Sequence, residues 1–93
     1  MRFELGEIVA TPRALELLAE GGIDPLRLLQ RHANGDWGDL DDEDKASNEE
    51  SLTSGARLFS AYELSNGKVW IITEATNDQG SRASTCILTP DEY

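Results

Sequence analysis

The sequence predicts one α+β domain, a small antiparallel sheet in the order β-α-α-α-β-β-β with three short helices on one face. Three observations lead there. Two proline-led helix starts, Thr11-Pro12 and Asp24-Pro25, follow a short alternating stretch. Alternating, aromatic-rich runs at 57–64 and 68–73 flank Ser65-Asn66-Gly67, a hairpin signal. The 93 residues span one domain, and a chain of that length buries only about 60–65% of its unfolded surface.

The elements follow in order. Phe3 to Ala10 alternates around β-branched residues and reads as a strand. Thr11 then caps a helix carrying Leu15, Leu17 and Leu18, which Gly21-Gly22 ends. Asp24 caps a second helix with Leu26, Leu28, Leu29 and Ala33, stopped by Asn34-Gly35. Residues 36–40 form a glycine-punctuated loop. Asp41 caps a third helix, with Asp42, Glu43 and Asp44 in the first turn where the helix dipole favours anions. That helix runs to Ser54 before Gly55, and its apolar face (Leu40, Ala46, Leu52) is thin. In the hairpin, Asn66-Gly67 suits the positive φ of a type I′ turn, and Tyr62 and Trp70 can face each other across it. A polar loop over 75–82 leads to a last strand, Ser84 to Leu88, which Pro90 ends; a proline there suits a sheet edge.

Charge excludes several classes of function. The net charge is −10, which opposes direct binding to nucleic acid or to anionic membranes, since both require a basic face. The apolar run Val69-Trp70-Ile71-Ile72 is far too short to cross a bilayer, and Met1 to Glu7 has no apolar secretory core. One cysteine, Cys86, makes no internal disulfide, so a cytoplasmic setting is expected. Catalytic chemistry is sparse. His32 near Asp36 could form a base–carboxylate pair, yet no flanking pattern nominates a serine or cysteine nucleophile. The other reading has His32 closing its helix and Trp37 covering the core edge. One histidine and one cysteine cannot build a zinc site, and no glycine-rich loop follows a strand. Neither an enzyme nor a cofactor is expected.

The acidic stretch 36–50 is the one composition shift, with eight carboxylates and one lysine against a net −3 over the other 78 residues. As a helix it offers about one acid per 2.8 Å, against one charge per roughly 3.4 Å along a DNA strand. Asp39, Asp41, Asp42, Glu43, Asp44, Glu49 and Glu50 are therefore candidate contacts for a basic protein partner. They read equally as a solvated helix face. Tyr62 and Trp70 form the alternative surface if they are exposed, and otherwise belong to the core. A calcium-loop match at Asp39, Asp41, Glu43 and Glu50 fails at its sixth position, where Asp44 replaces the required glycine.

Leu5-Gly6-Glu7-Ile8-Val9-Ala10-Thr11-Pro12, His32-Ala33-Asn34-Gly35-Asp36-Trp37-Gly38-Asp39-Leu40, Ser60-Ala61-Tyr62, Trp70-Ile71-Ile72-Thr73-Glu74-Ala75 and Leu88-Thr89-Pro90-Asp91-Glu92-Tyr93 carry a resemblance. Over nearly its full length the chain resembles small bacterial proteins of plasmids, integrative elements and accessory gene clusters. Some of these are called "type I restriction endonuclease subunit M" and others "plasmid-related protein". Methyltransferase activity is not implied, because the chain lacks an Asn-Pro-Pro-Phe type motif and a glycine-rich cofactor loop. The resemblance implies a mobile-element setting, where anti-defence and maintenance proteins are common. The expectation is a non-enzymatic protein-binding module, acting as an acidic decoy for a nucleic-acid-binding defence protein or as a plain maintenance protein. Self-association is left open.

Overall fold

Each helix begins where a side-chain oxygen can take an otherwise unpartnered backbone N–H. In the computed structural model, which describes residues 1–93, Thr11 Oγ1 accepts from Ala14 N–H at 3.1 Å and opens α1 (Pro12–Glu20). Asp24 accepts from Leu26 N–H at 3.0 Å and opens α2 (Pro25–Ala33). Asp41 accepts from Asp44 N–H at 2.8 Å and opens α3 (Asp42–Ser54), which ends at a left-handed Gly55 with φ 83°. All three starts and stops are the ones the sequence predicts.

The strands are β1 (Glu7–Ala10), β2 (Leu58–Leu64), β3 (Gly67–Thr73) and β4 (Ser84–Leu88), in the sheet order β1-β4-β3-β2. β2, β3 and β4 are antiparallel neighbours, as expected. β1 adds to β4 in parallel, which makes the sheet mixed rather than wholly antiparallel. The three helices lie between β1 and β2 in sequence and carry the chain back to the end of the sheet from which it started. β1 is also shorter than the alternation suggests. Phe3 leaves the sheet to pack on His32 and Trp37, with ring centroids at 5.1 and 6.1 Å.

The main core lies between the sheet and the first two helices. Ala14, Leu18, Leu28 and Leu29 meet Tyr62, Val69, Ile71 and Ile87, with Leu5, Ala10, Leu17, Ile23 and Leu64 around them. Each fully buried aliphatic side chain contributes about 1.5–3 kcal/mol relative to exposure. α3 takes a different place, along the outer edge of β2. Its buried residues are Asn48 and Ser51, not the apolar set Leu40, Ala46 and Leu52.

The hairpin is present but tighter by one residue than predicted. Leu64 pairs with Gly67, so the loop is Ser65-Asn66 alone. Neither loop residue has positive φ, which excludes a type I′ turn, and Gly67 opens β3 at φ 150°. Asn66 turns inward instead and donates from Nδ2 to Leu17 O at 3.1 Å, docking the hairpin on the end of α1. Register follows from loop length. A three-residue loop would set Tyr62 opposite Trp70, whereas the observed pairs are Tyr62 with Val69 and Ala61 with Trp70. The shift by one sends the two aromatic side chains to opposite faces of the sheet. β4 is likewise an inner strand rather than an edge, and Pro90 starts a short 3-10 turn (Pro90–Glu92) after it. No helix is long and apolar enough to cross a membrane.

Candidate functional site

The acidic stretch does two separate things, and the strand beside it decides which residue does which. Even-numbered residues of β2 face β3 through hydrogen bonds, so Phe59, Ala61 and Glu63 turn their backbone groups outward. Each is met from the acidic stretch. Asn48 Nδ2 donates to Phe59 O at 2.6 Å, and its Oδ1 accepts from Phe59 N–H at 3.1 Å. Asp39 N–H donates to Ala61 O at 2.7 Å, and Ala61 N–H donates to Trp37 O at 3.3 Å. Asp39 carboxylate then accepts from Glu63 N–H at 2.7 Å. The close approach requires Gly38, at φ 74°, because a Cβ there would strike Ala61 O and the Tyr62 ring. β2 is closed as an edge.

Other acids are fixed just as firmly. Asp41 is the α3 cap. Glu49 receives both Arg2 guanidinium nitrogens, at 3.0 and 2.7 Å, and the Trp37 indole N–H at 2.9 Å. These bonds, Arg2 first, hold its carboxyl below the usual glutamate range. Asp36 pairs with Arg31 at 2.6 Å, so it is unavailable to His32. Of the seven candidates, Asp39, Asp41 and Glu49 are structural. Asp42, Glu43, Asp44 and Glu50 are exposed and form no ion pair. Glu43 and Glu50, seven positions apart, project from one side of α3 across from Asn48, about 10 Å apart along the axis.

His32 lies in the core, fully buried. Its Nδ1 meets Ser60 Oγ at 2.5 Å and its Nε2 meets Thr73 Oγ1 at 2.9 Å. The proton order follows from counting. Thr85 donates its single hydroxyl proton to Leu5 O at 2.7 Å, so it accepts from Thr73 at 2.7 Å. Thr73 has then spent its proton and accepts from His32 Nε2–H, which leaves Nδ1 to accept from Ser60. The imidazole is neutral, and burial pushes its pKa down to about 4. This chain of bonds joins α2, β2, β3, β4 and the N-terminal arm through five residues, and every proton in it is assigned. A histidine so enclosed is not placed to take a proton from a substrate in solvent.

Arg82 is the other buried polar residue of consequence. Its guanidinium donates to Ala56 O at 2.8 Å, Glu74 O at 3.0 Å and Ser51 O at 3.0 Å, and it lies 5.9 Å from the Phe3 ring centroid. Its charge meets carbonyls at the C-terminal end of α3, where the helix dipole is negative, instead of a carboxylate.

The aromatic alternative changes composition. Tyr62 is 1% exposed, its hydroxyl donates to Asp36 O at 2.6 Å, and burial pushes its pKa up to about 12. It cannot form a surface with Trp70. Trp70 sits on the opposite sheet face, edge-on between Phe59 (4.8 Å) and the exposed Tyr93 (5.6 Å), with Ile72 two positions along its own strand and Leu88 and Cys86 on the neighbouring β4. Burial, and the nearby Glu92 and Glu74, push the Cys86 thiol up and away from reactivity. Sequence reasoning missed Asn48, Arg82 and the partners of His32, all of which act through contacts distant along the chain. The chain matches no protein-family profile, no curated protein and no solved structure.

Proposed function

We propose that the protein is a non-enzymatic binding module that engages a basic protein partner through the outward carboxylates of α3. The observation that carries this reading is the division within the acidic stretch. Asp39, Asp41 and Glu49 are consumed in holding α3 and closing β2, while Asp42, Glu43, Asp44 and Glu50 face solvent without a cation. α3 is therefore a rigidly mounted anionic rod with a polar, hydrogen-bonded back. Its charge spacing suits a protein that ordinarily binds nucleic acid, and the likeness to mobile-element proteins favours a defence protein in that role. The sequestered His32 supports a binding function over a catalytic one.

A second reading rests on the sheet face carrying Trp70, Phe59 and Tyr93, which α1 and α2 leave uncovered because they pack on the other side. Binding measurements separate the two. Affinity for a basic partner recovered from host cells should fall steeply with added salt, because exposed charges are screened within about 8–10 Å. Changing Asp42→Asn, Glu43→Gln, Asp44→Asn and Glu50→Gln together should abolish that binding, while each single change weakens it modestly. Retained binding by the fourfold variant would move the contact to the face around Trp70.

A further inference from the structure

The two edges of the sheet are treated in opposite ways. β2 is closed by Asn48, Trp37 and Asp39. β1 is open. Glu7 N–H and Thr11 N–H bond toward β4, at 3.0 Å each, so the backbone groups of Ile8 and Ala10 point away from the sheet, where no residue of the chain receives them. Of the usual protections the strand has only its four-residue length and one charge, Glu7, at its start. It has no lysine, proline or bulge, and Ile8 (48% exposed) and Val9 (43%) show apolar side chains on both faces. Beside Ile8 lies an apolar hollow of about 150 Å³, lined by Met1, Leu5, Leu26, Leu29 and Ala33. Met1 and Leu26 are themselves 84% and 61% exposed.

We infer that β1 is a self-association edge, pairing antiparallel with β1 of a second copy about a two-fold axis through Val9. The geometry is self-complementary. With Val9 opposite Val9, Ile8 of one copy exchanges both backbone bonds with Ala10 of the other, and the symmetric pair does the same, giving four hydrogen bonds. Glu7 then faces Thr11 rather than Glu7, and Pro12, without an N–H, ends the pairing. A two-fold axis perpendicular to the sheet keeps all helices on one side and brings the two apolar hollows toward the axis.

Charge selects a second copy as occupant in spite of the net −10. Residues 1–31 hold four arginines (2, 13, 27, 31) and five acids (4, 7, 16, 20, 24), a net −1, so the joining edge is nearly neutral. The stretch 36–50, at −7, lies beyond β2 on the far edge. In an eight-stranded sheet the two α3 helices would stand more than seven strand spacings apart, about 34 Å, or several Debye lengths. The residual like-charge repulsion means that salt strengthens this association, the reverse of its effect on a basic partner.

Sedimentation equilibrium of the intact chain, loaded up to about 1 mM to reach even a weak dimer, should show a mass rising from 10.2 kDa toward twice that value, more readily at high salt. Val9→Lys, which sets two ammonium groups face to face, should stay monomeric with an unchanged thermal midpoint at low concentration. In a Cys86→Ser background, oxidation should link Val9→Cys into a covalent dimer, because opposed Cα atoms at about 4.5 Å lie within disulfide range, whereas Glu7→Cys should not link. A parent protein that stays monomeric at every concentration and salt level overturns the inference. So does a Val9→Lys variant that associates as the parent does, or linkage through Glu7→Cys in place of Val9→Cys.

Discussion

Arg82→Met should destabilise the fold by about 3 kcal/mol or more, since hydrogen bonds from a charged donor contribute about 1.5–3 kcal/mol each and three acceptors, one buried and two partly buried, lose theirs together. Methionine keeps the apolar stem and removes only the fork. Ser51 O, Ala56 O and Glu74 O belong to the end of α3, the segment after it and the residue that follows β3, so one side chain joins three segments. For a domain of this size the thermal midpoint should fall by more than about 12 °C. Arg82→Lys should recover only part of that, because one ammonium cannot reach all three carbonyls. Arg57→Met is the control, since Arg57 is exposed and touches only the exposed Tyr93, stacking on its ring and donating to its hydroxyl, and its midpoint should barely move. Equal losses at the two positions would contradict the bridging role.

The second large effect is on pH. His32 has a folded pKa of about 4 against an ordinary value of 6.5, so the unfolded chain binds the proton more readily. Stability from this depressed base is fully present above pH 6.5 and is lost as pH falls from there toward 4. The expected loss between pH 7 and pH 5 is about 2 kcal/mol at the linkage slope of one site. Asp36, Glu49, Asp91 and Glu92 are all held below their usual range, so their contributions fade only at lower pH and leave this window to His32. Urea unfolding at half-unit steps reads the slope directly. His32→Gln should be less stable than the parent at pH 7 but flat between 7 and 5. A parent protein equally stable at both pH values would show that the imidazole is not buried neutral.

What could be read in advance divides along a physical line. Helix ends were legible because Thr11, Asp24, Asp41 and Gly55 act on backbone groups within a few positions of themselves. The three C-terminal strands were legible from alternation, and the α+β class followed. Register was not, since one residue in the Ser65-Asn66 loop decides whether Tyr62 meets Trp70 or Val69. The parallel docking of β1 on β4 joins residues almost eighty positions apart and leaves no local trace. Within the acidic stretch, composition exposed the charge but not its division. Asn48 is as polar as its neighbours, and only its bonds to Phe59 reveal why that side of α3 turns inward. Arg82 looked like a loop cation because its three acceptors lie between 8 and 31 positions away.

That division can be tested by comparing two variants in urea. One carries Asp42→Asn, Glu43→Gln, Asp44→Asn and Glu50→Gln, and the other Asp39→Ala and Asn48→Ala. If α3 is held by its inner polar face and only displays its outer carboxylates, the fourfold variant should unfold near the parent's midpoint with the same slope. The double variant loses three hydrogen bonds to the edge of β2 and should be weaker by roughly 2–3 kcal/mol. A fourfold variant destabilised as much as the double variant would mean that the outward carboxylates also hold the fold, and α3 would not be a surface free to engage a partner.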